Sequence, residues 1–142
     1  MKIIKFEQKY RDDMIFMNLT AKNALGTVPH LRDDLLNVEE SYFKKGGYFW
    51  LAVNEDDRVI GSIGILPTDD FAEIKRLFIM PNLKRQGIGT KLLETLEEYA
   101  KQQKYTRLEI HLGEESVYWE SRLFYKKHGY DEYQPRHMRK YL

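Results

Sequence analysis

The sequence predicts an α/β domain with a mixed, mostly antiparallel sheet, a parallel β-α-β crossover at its centre, and about four flanking helices. Two observations support this fold class. Stretches with the apolar period of a strand alternate with stretches of helical period along the 142 residues, in the order β-α-α-β-β-β-α-β-α-β-β. One strand–helix–strand unit, residues 71–112, has the length of a crossover, so its two strands should be parallel.

The first half of the chain contains elements with clear boundaries. Gly46-Gly47 should end the second helix, and the acidic turn at residues 55–57 should join two strands as a hairpin. A further turn at residues 67–70 leads to the central strand. The elements predicted here are strand 2–7, helix 10–25, helix 31–45, strand 48–54 and strand 58–66.

The central stretch, residues 74–93, joins a strand to a helix through a short loop. Residues 74–80 predict the strand, and Pro81 ends it because proline has no N–H to give to a ladder. The loop is the basic segment Lys84-Arg85-Gln86 followed by Gly87-Ile88-Gly89. The apolar residues that follow share one helical face. They are Ile88, Leu92, Leu93, Leu96, Tyr99 and Ala100.

This loop favours an anionic ligand. The first turn of a helix has N–H groups without intrahelical partners and carries partial positive charge, and glycines let a phosphate approach the backbone. The glycines could equally serve only a tight turn. A P-loop is excluded because Thr90 follows Gly89 and precedes Lys91, and a dinucleotide fingerprint is excluded because Leu92 occupies the third glycine position.

The last part of the chain predicts a strand, a helix and two short strands. Residues 107–112 alternate polar with apolar side chains, and Gly113 should end that strand. Ser116 is a candidate cap for a helix that runs to His128, with Gly129 after it. Two short strands should flank Gln134-Pro135.

Composition excludes several classes of protein. A single domain spanning residues 1–142 is expected, and its net charge of +1 favours neither nucleic acid nor membrane as a partner. The absence of cysteine excludes disulfides, thiolate catalysis and cysteine-bound zinc, and the histidines lack ligand-like spacing, so we expect no metal. No apolar run is long enough to span a bilayer and the start is unlike a signal peptide, so a cytoplasmic protein is expected. Aromatic residues, 13% of the chain, allow a homodimer contact.

Taken together, these residues resemble the GNAT superfamily of acyl-CoA N-acyltransferases. Its signature, Arg/Gln-x-x-Gly-x-Gly/Ala, is matched by residues 84–89, KRQGIG, and its FYEKLGF segment by residues 124–130, FYKKHGY. Lys84 departs from the usual first residue and keeps the positive charge without the guanidinium fork. Tyr118 stands where many relatives have asparagine, and Ser121 where alanine is frequent. The order of elements agrees over nearly the full chain.

The resemblance implies acetyl-CoA as co-substrate and a set of residues that bind it. Backbone groups of the central strand would pair with the pantetheine arm, and amides of the loop would surround the pyrophosphate, in agreement with the helix-polarity argument. The implied cofactor-binding residues are Leu77, Phe78, Ile79, Lys84, Arg85, Gln86, Gly87, Ile88, Gly89, Thr90 and Tyr118. Side chains of residues 77–79 could at the same time belong to the sheet core.

The resemblance also implies catalytic residues. Tyr125 matches the general acid that would protonate the leaving thiolate, whereas without the motif it would be a packing residue of an amphipathic helix. Glu73 occupies the position of a glutamate base that often acts through water, and a surface glutamate paired with Lys75 is the equal alternative. Glu109, His111 or water alone are further candidates for the base.

The sequence therefore predicts an enzyme that moves an acetyl group from acetyl-CoA to a primary amine by direct attack. It would belong to the acyltransferases that transfer acyl groups other than aminoacyl groups. The acceptor, a small molecule or a peptide, should bind between residues 25–31 and the last hairpin. A non-catalytic acyl-CoA-binding sensor or interaction module is the alternative, because it would use the same loop without an acid or a base.

Overall fold

A computed structural model describes residues 1–114 and 117–142. The strands are β1 (Lys2–Lys5), β2 (Tyr48–Val53), β3 (Val59–Thr68), β4 (Phe71–Ile79), β5 (Arg107–His111), β6 (Asp131–Gln134) and β7 (His137–Tyr141). The helices are α1 (Arg11–Ala24), α2 (Asp33–Leu36), α3 (Val38–Ser41), α4 (Ile88–Gln102) and α5 (Trp119–Lys127). The strands form one seven-stranded sheet in the order β1-β2-β3-β4-β5-β7-β6.

The sheet is mostly antiparallel. Only β4 and β5 pair in parallel among the described strands, and α4 makes the crossover between them. The predicted fold class is confirmed, with five helices instead of about four.

Each face of the sheet packs against its own helices. One face buries Ile74 and Leu108 against Leu92 and Leu96 of α4 and Tyr125 of α5. The opposite face packs α1 and the α2–α3 segment against the first strands. Its buried members include Met14, Met17, Leu35, Tyr42 and Phe49. The alternation of side chains along each strand explains how both faces acquire a core.

The helix predicted for residues 31–45 is wrong. The segment forms α2, α3 and a 3₁₀ turn at Phe43–Lys45. Asn37 interrupts it with φ −143° and ψ 82°, and its side chain accepts a hydrogen bond from the Glu40 N–H. Asparagine favours caps because its side chain competes for backbone groups, so two short helices satisfy the same apolar spacing.

Two other boundaries differ from the sequence prediction. β3 continues to Thr68, so Pro67 lies inside a strand, and the turn is confined to Asp69 and Asp70. Asp69 adopts φ 41°, which suits a tight hairpin turn. The predicted cap Ser116 lies outside the described residues, and α5 begins after Tyr118.

No helix in the described part of the chain is long and apolar enough to cross a membrane.

Candidate active site

A fork opens between β4 and β5. The parallel register joins Ala72 with Leu108 and Glu73 with Glu109, and it goes no further within the described residues. β4 continues to Ile79, so its upper half leaves β5 while it still pairs with β3. Backbone groups of β4 that face the fork can therefore pair with an extended ligand as with an added strand.

A β-bulge lies in β4 beside this fork. Lys75 pairs with Gly64 and Phe78 with Ser62, so two residues of β4 oppose one of β3. Arg76, the first residue of the bulge, has φ 59°. A non-glycine residue in this left-handed region is strained by about 1–2 kcal/mol. The bulge turns the β4 backbone, and with it an N–H group, away from the regular ladder.

A buried polar chain holds the backbone of the bulge. Ser62 Oγ donates to the Arg76 carbonyl oxygen at 2.7 Å. Asn18 Nδ2 of α1 donates to Ser62 Oγ at 3.2 Å and to the Met14 carbonyl oxygen at 3.0 Å. Asn18 and Ser62 are both fully buried. Because buried polar groups are costly without partners, this chain fixes α1 and β3 to the strained residue.

The Arg76 side chain holds the bulge from the other direction. Its Nε and Nη2 donate to the two carboxylate oxygens of Asp34 at 2.9 and 2.8 Å. Tyr42 donates its hydroxyl to Asp34 Oδ2 at 2.7 Å. Burial would raise the pKa of Asp34, but the hydrogen bonds from Arg76 and Tyr42 outweigh it, and the pKa lies below its ordinary value. Asp34 is therefore an anion that anchors α2 to the bulge.

Sequence reasoning missed these supporting residues. The signals were a polar Asn18 on the apolar face of α1 and a polar Ser62 inside the apolar run of β3. A polar residue at a core position needs a partner. Here Ser62 bonds the backbone carbonyl of the strained Arg76, and Asn18 bonds Ser62 and the Met14 carbonyl.

The glycine loop leads into an uncapped helix. Gly87 is the N-cap of α4 with φ 83°, and no side chain caps the helix there. Arg85 also has positive φ, 65°. A Cβ atom at Gly87 would meet nothing within 4 Å, and Lys84, Arg85 and Gln86 are exposed. Free N–H groups, open space and basic side chains fit a pyrophosphate group.

Contacts with α5 fix the start of α4. A Cβ atom at Gly89 would lie 3.4 Å from the Phe124 ring, at van der Waals contact, so the start of α4 packs directly against α5. Thr90 Oγ1 lies 3.2 Å from His128 Nε2, and His128 Nδ1 lies 2.8 Å from the Phe124 carbonyl oxygen. If Nδ1 carries the proton, Nε2 accepts from the Thr90 hydroxyl. The Thr90 side chain is then engaged by His128 at the end of α5.

Two further predicted cofactor-binding residues pack around the same end of the sheet. Lys84 Nζ lies 3.6 Å from Glu120 Oε2 in the first turn of α5, so part of its charge is neutralised.

The Tyr118 ring covers Gly113, where a Cβ atom would lie only 2.2 Å from Tyr118 Cε2. Leu77 and Ile79 pack at the margin of the α4 core, and Phe78 packs at the margin of the α1 core.

Tyr125 is a buried phenol without a hydrogen-bond partner among the described residues. Its side chain is 2% exposed, and the rings of Phe124 and Tyr130 pack against it at 5.3 Å between centroids. Burial raises the pKa of its hydroxyl well above the ordinary value. An unpartnered buried hydroxyl costs about 1–3 kcal/mol, so Tyr125 is a donor that lacks an acceptor among the described residues.

The three candidate bases differ in their surroundings. Glu73 lies at the base of the fork, with 34% of its side chain exposed and Lys75 Nζ at 4.0 Å. Burial would raise the pKa of Glu109, but hydrogen bonds from Tyr133 and Arg107 outweigh it and lower the pKa. Because Glu109 already accepts hydrogen bonds from Tyr133 and Arg107, it is less free than Glu73 to accept a proton. His111 stacks on His137, with ring centroids 4.2 Å apart and ring planes 15° apart.

No three His, Cys, Asp or Glu side chains come together as a metal-binding group in residues 1–114 and 117–142.

Comparisons with known proteins agree with this geometry. Residues 13–130 match the model of the acetyltransferase (GNAT) family. N-acetyltransferase 8 of Homo sapiens is 31% identical over 87 residues, which cover 56% of this chain and 38% of that protein. The match thus spans well under half of the relative's length.

Solved structures share the fold along the whole chain. An acetyltransferase of the GNAT family from Staphylococcus aureus Mu50 superposes with a TM-score of 0.91 at 25% identity, covering 99% of this chain and 98% of that one. PaiA N-acetyltransferase from Thermoplasma acidophilum, solved in complex with coenzyme A, has a TM-score of 0.76 at 19% identity, with coverage of 99% and 98%. The family model matches most of the chain, and the chain therefore belongs to the GNAT family of acetyltransferases.

Proposed function

We propose that the chain transfers an acetyl group from acetyl-CoA to a primary amine of a small molecule or peptide by direct attack. The observation that carries this proposal is the fork between β4 and β5 next to the uncapped start of α4. One long ligand can occupy both features, with its phosphates at the helix and its acyl end in the fork. The family relationship supports the same reaction.

Backbone groups provide most of the proposed binding. Amides from Arg85 to Thr90 surround the pyrophosphate, and backbone groups of residues 77–79 pair with the pantetheine arm. Lys84 adds positive charge beside them, and Tyr118 contributes a hydroxyl. When bound, acetyl-CoA supplies an acyl group activated as a thioester.

The bulge and Tyr125 stabilise the charge that develops during transfer. A backbone N–H of β4 at the bulge donates to the carbonyl oxygen, as in an oxyanion hole. Tyr125 donates its hydroxyl toward the departing sulfur. An ordinary thiol has a pKa of about 8.5, and the pKa of Tyr125 is raised above that of an ordinary tyrosine. Tyr125 therefore acts chiefly by a hydrogen bond, because complete transfer of its proton to the thiolate is unfavourable.

A base must remove a proton from the attacking amine. Glu73 fills this role directly or through water, because its carboxylate lies at the base of the fork and is half-buried. His111 is the reserve candidate on the same face of β5. Glu109 is the weakest candidate, since Tyr133 and Arg107 already donate to its oxygens.

Substitution of Tyr125 tests the proposal. We expect Tyr125→Phe to lower kcat for thiol release from acetyl-CoA at least 10-fold and to change the Kd for CoA less than about twofold. The variant should unfold at the same or a higher denaturant concentration, because it removes an unpartnered buried hydroxyl.

Tyr130→Phe is the matched control. Tyr130 is equally buried, but its hydroxyl donates to Glu97 Oε2 at 2.8 Å. We expect this variant to lose stability and to keep turnover. Unchanged turnover in Tyr125→Phe would remove that residue from the mechanism. Tight CoA binding without turnover on any amine would instead identify an acyl-CoA sensor, and absent CoA binding would refute both functions.

A further inference from the structure

A lysine without a carboxylate partner among the described residues lies beside the bulge. Lys22 is in the last turn of α1, and its side chain is half-buried. Its ammonium lies 5.8 Å from the centroid of the Phe78 ring on β4. Among the described residues Lys22 takes part in no ion pair, and Asp34 is paired with Arg76 instead. A half-buried ammonium loses hydration that an anion could replace.

The charges around Lys22 are unbalanced. Arg76 of the bulge and Arg32, which precedes α2, repel it electrostatically, and Asp34 attracts it. Asp34 is itself engaged by Arg76 and Tyr42. Burial first, and then repulsion from Arg76 and Arg32, lower the pKa of Lys22. An anion bound here would relieve that repulsion and restore a partner to the ammonium.

This cation lies on the α1 side of the sheet, next to the segment expected to contact the acceptor. Lys22 approaches Phe78 from the α1 side of the sheet, opposite the face that packs against α4 and α5. Its own carbonyl oxygen accepts from Thr27 Oγ1 at 3.0 Å, which ties it to the 25–31 segment proposed to contact the acceptor. Arg32 directly follows that segment.

We propose that the acceptor amine carries a carboxylate, and that Lys22 and Arg32 bind this carboxylate while the amine reaches the fork. The inference rests on the proposed acetyl transfer and narrows its substrate class. The carboxylate has two sources: the α-carboxylate of a free amino acid, or the side chain of an acidic residue in a peptide. Arg76 contributes positive potential, but its guanidinium is occupied by Asp34.

Matched acceptors test the inference. A free amino acid and its carboxamide differ only in the carboxylate. The ratio of their kcat/KM values, each calculated for the unprotonated amine, therefore measures the contribution of the carboxylate. We expect wild-type protein to favour the acids at least 10-fold and Lys22→Met to reduce that ratio below about threefold, chiefly through KM. Methionine keeps an apolar stem over Phe78, and Lys22→Arg should preserve the preference because it keeps the charge.

Lys9→Met is the matched control. Lys9 also lies over an aromatic ring, Tyr10 at 5.1 Å, but it lies before the opposite end of α1 and is exposed. Its variant should keep the wild-type preference. A second pair of acceptors, peptides with aspartate or asparagine after the free N-terminus, distinguishes a peptide carboxylate from that of a free amino acid.

The outcomes separate the two proposals. Turnover of amides as fast as acids, or a ratio unchanged in Lys22→Met, overturns the carboxylate site and leaves acetyl transfer intact. Absence of thiol release with every amine overturns acetyl transfer and the inference with it. Calorimetry with N-acetyl amino acids and their amides adds a readout independent of turnover: the acids should bind at least 10-fold more tightly, and equal affinity would contradict the site.

Discussion

Two clusters of the same composition, an arginine, a carboxylate and a tyrosine, occupy different regions of the sheet. In both, the arginine and the tyrosine hydroxyl donate to the carboxylate. They are Arg76, Asp34 and Tyr42, here the bulge cluster, and Arg107, Glu109 and Tyr133, here the strand cluster.

The bulge cluster joins distant parts of the chain. Arg76 and Asp34 are 42 positions apart and share two hydrogen bonds, and Tyr42 adds a third from a fully buried ring. In the strand cluster the arginine–carboxylate pair is local, and only Tyr133 comes from another strand. Arg107 and Glu109 are two positions apart on β5, and Tyr133 is 36% exposed. The bulge cluster should therefore stabilise the fold strongly and the strand cluster weakly. Only the bulge cluster fixes a strained residue, Arg76, against another element.

The largest expected difference comes from removing each carboxylate charge. Asp34→Asn leaves the Arg76 guanidinium half-buried without an anion, so we expect a loss of about 2–4 kcal/mol in the free energy of unfolding. The strained bulge should relax, and kcat for acetyl transfer should fall with it. Glu109→Gln should cost less than half as much stability. Urea denaturation and initial rates measure both, and equal losses would abolish the distinction between the clusters.

Removing each tyrosine hydroxyl should give a smaller difference. Tyr42→Phe deletes a buried donor and should cost about 1–2 kcal/mol, while the Arg76–Asp34 pair remains. Tyr133→Phe should have no measurable effect on stability, because water replaces a partner at an exposed site. The two proteins can be compared by thermal and urea denaturation under one condition. A loss in Tyr133→Phe as large as in Tyr42→Phe would show that exposure does not decide the outcome.

The sequence predicted the region of the strand cluster better than that of the bulge cluster. Strand β5, helix α4 and the glycine loop carry regular local periods, and their boundaries followed from Pro81, Gly87 and the alternation in residues 107–112. These elements can be predicted from sequence because hydrophobic periodicity and turn-forming residues depend only on a few neighbouring positions.

The bulge region depended on contacts that local patterns do not contain. The split of residues 31–45 into α2 and α3 places Asp34 under Arg76, and nothing near either residue indicates the pairing. The positive φ of Arg76 is fixed by Ser62 and Asn18 from other elements. The resemblance supplied the candidate residues Tyr125 and Glu73, while the positioning residues around the bulge required the tertiary structure.

The smallest expected effect is on the acid dependence of stability. The pKa values of Asp34 and Glu109 both lie below their ordinary values in the folded protein. Unfolded carboxyl groups titrate near about 4, so the unfolded state binds more protons there and stability falls as the pH drops from about 5 through the folded pKa values.

Each carboxylate variant should therefore flatten the fall in stability below about pH 5 and leave the curve above pH 6 parallel to wild type. Asp34→Asn should flatten it more, because Asp34 accepts three hydrogen bonds and Glu109 two. Urea titrations at intervals from pH 3 to 6 give the slopes, with Asp12→Asn as a control at an exposed aspartate of α1. If the Asp34→Asn slope matched wild type, the folded protein would not lower the pKa of Asp34, and the bulge cluster would hold Arg76 by geometry rather than by charge.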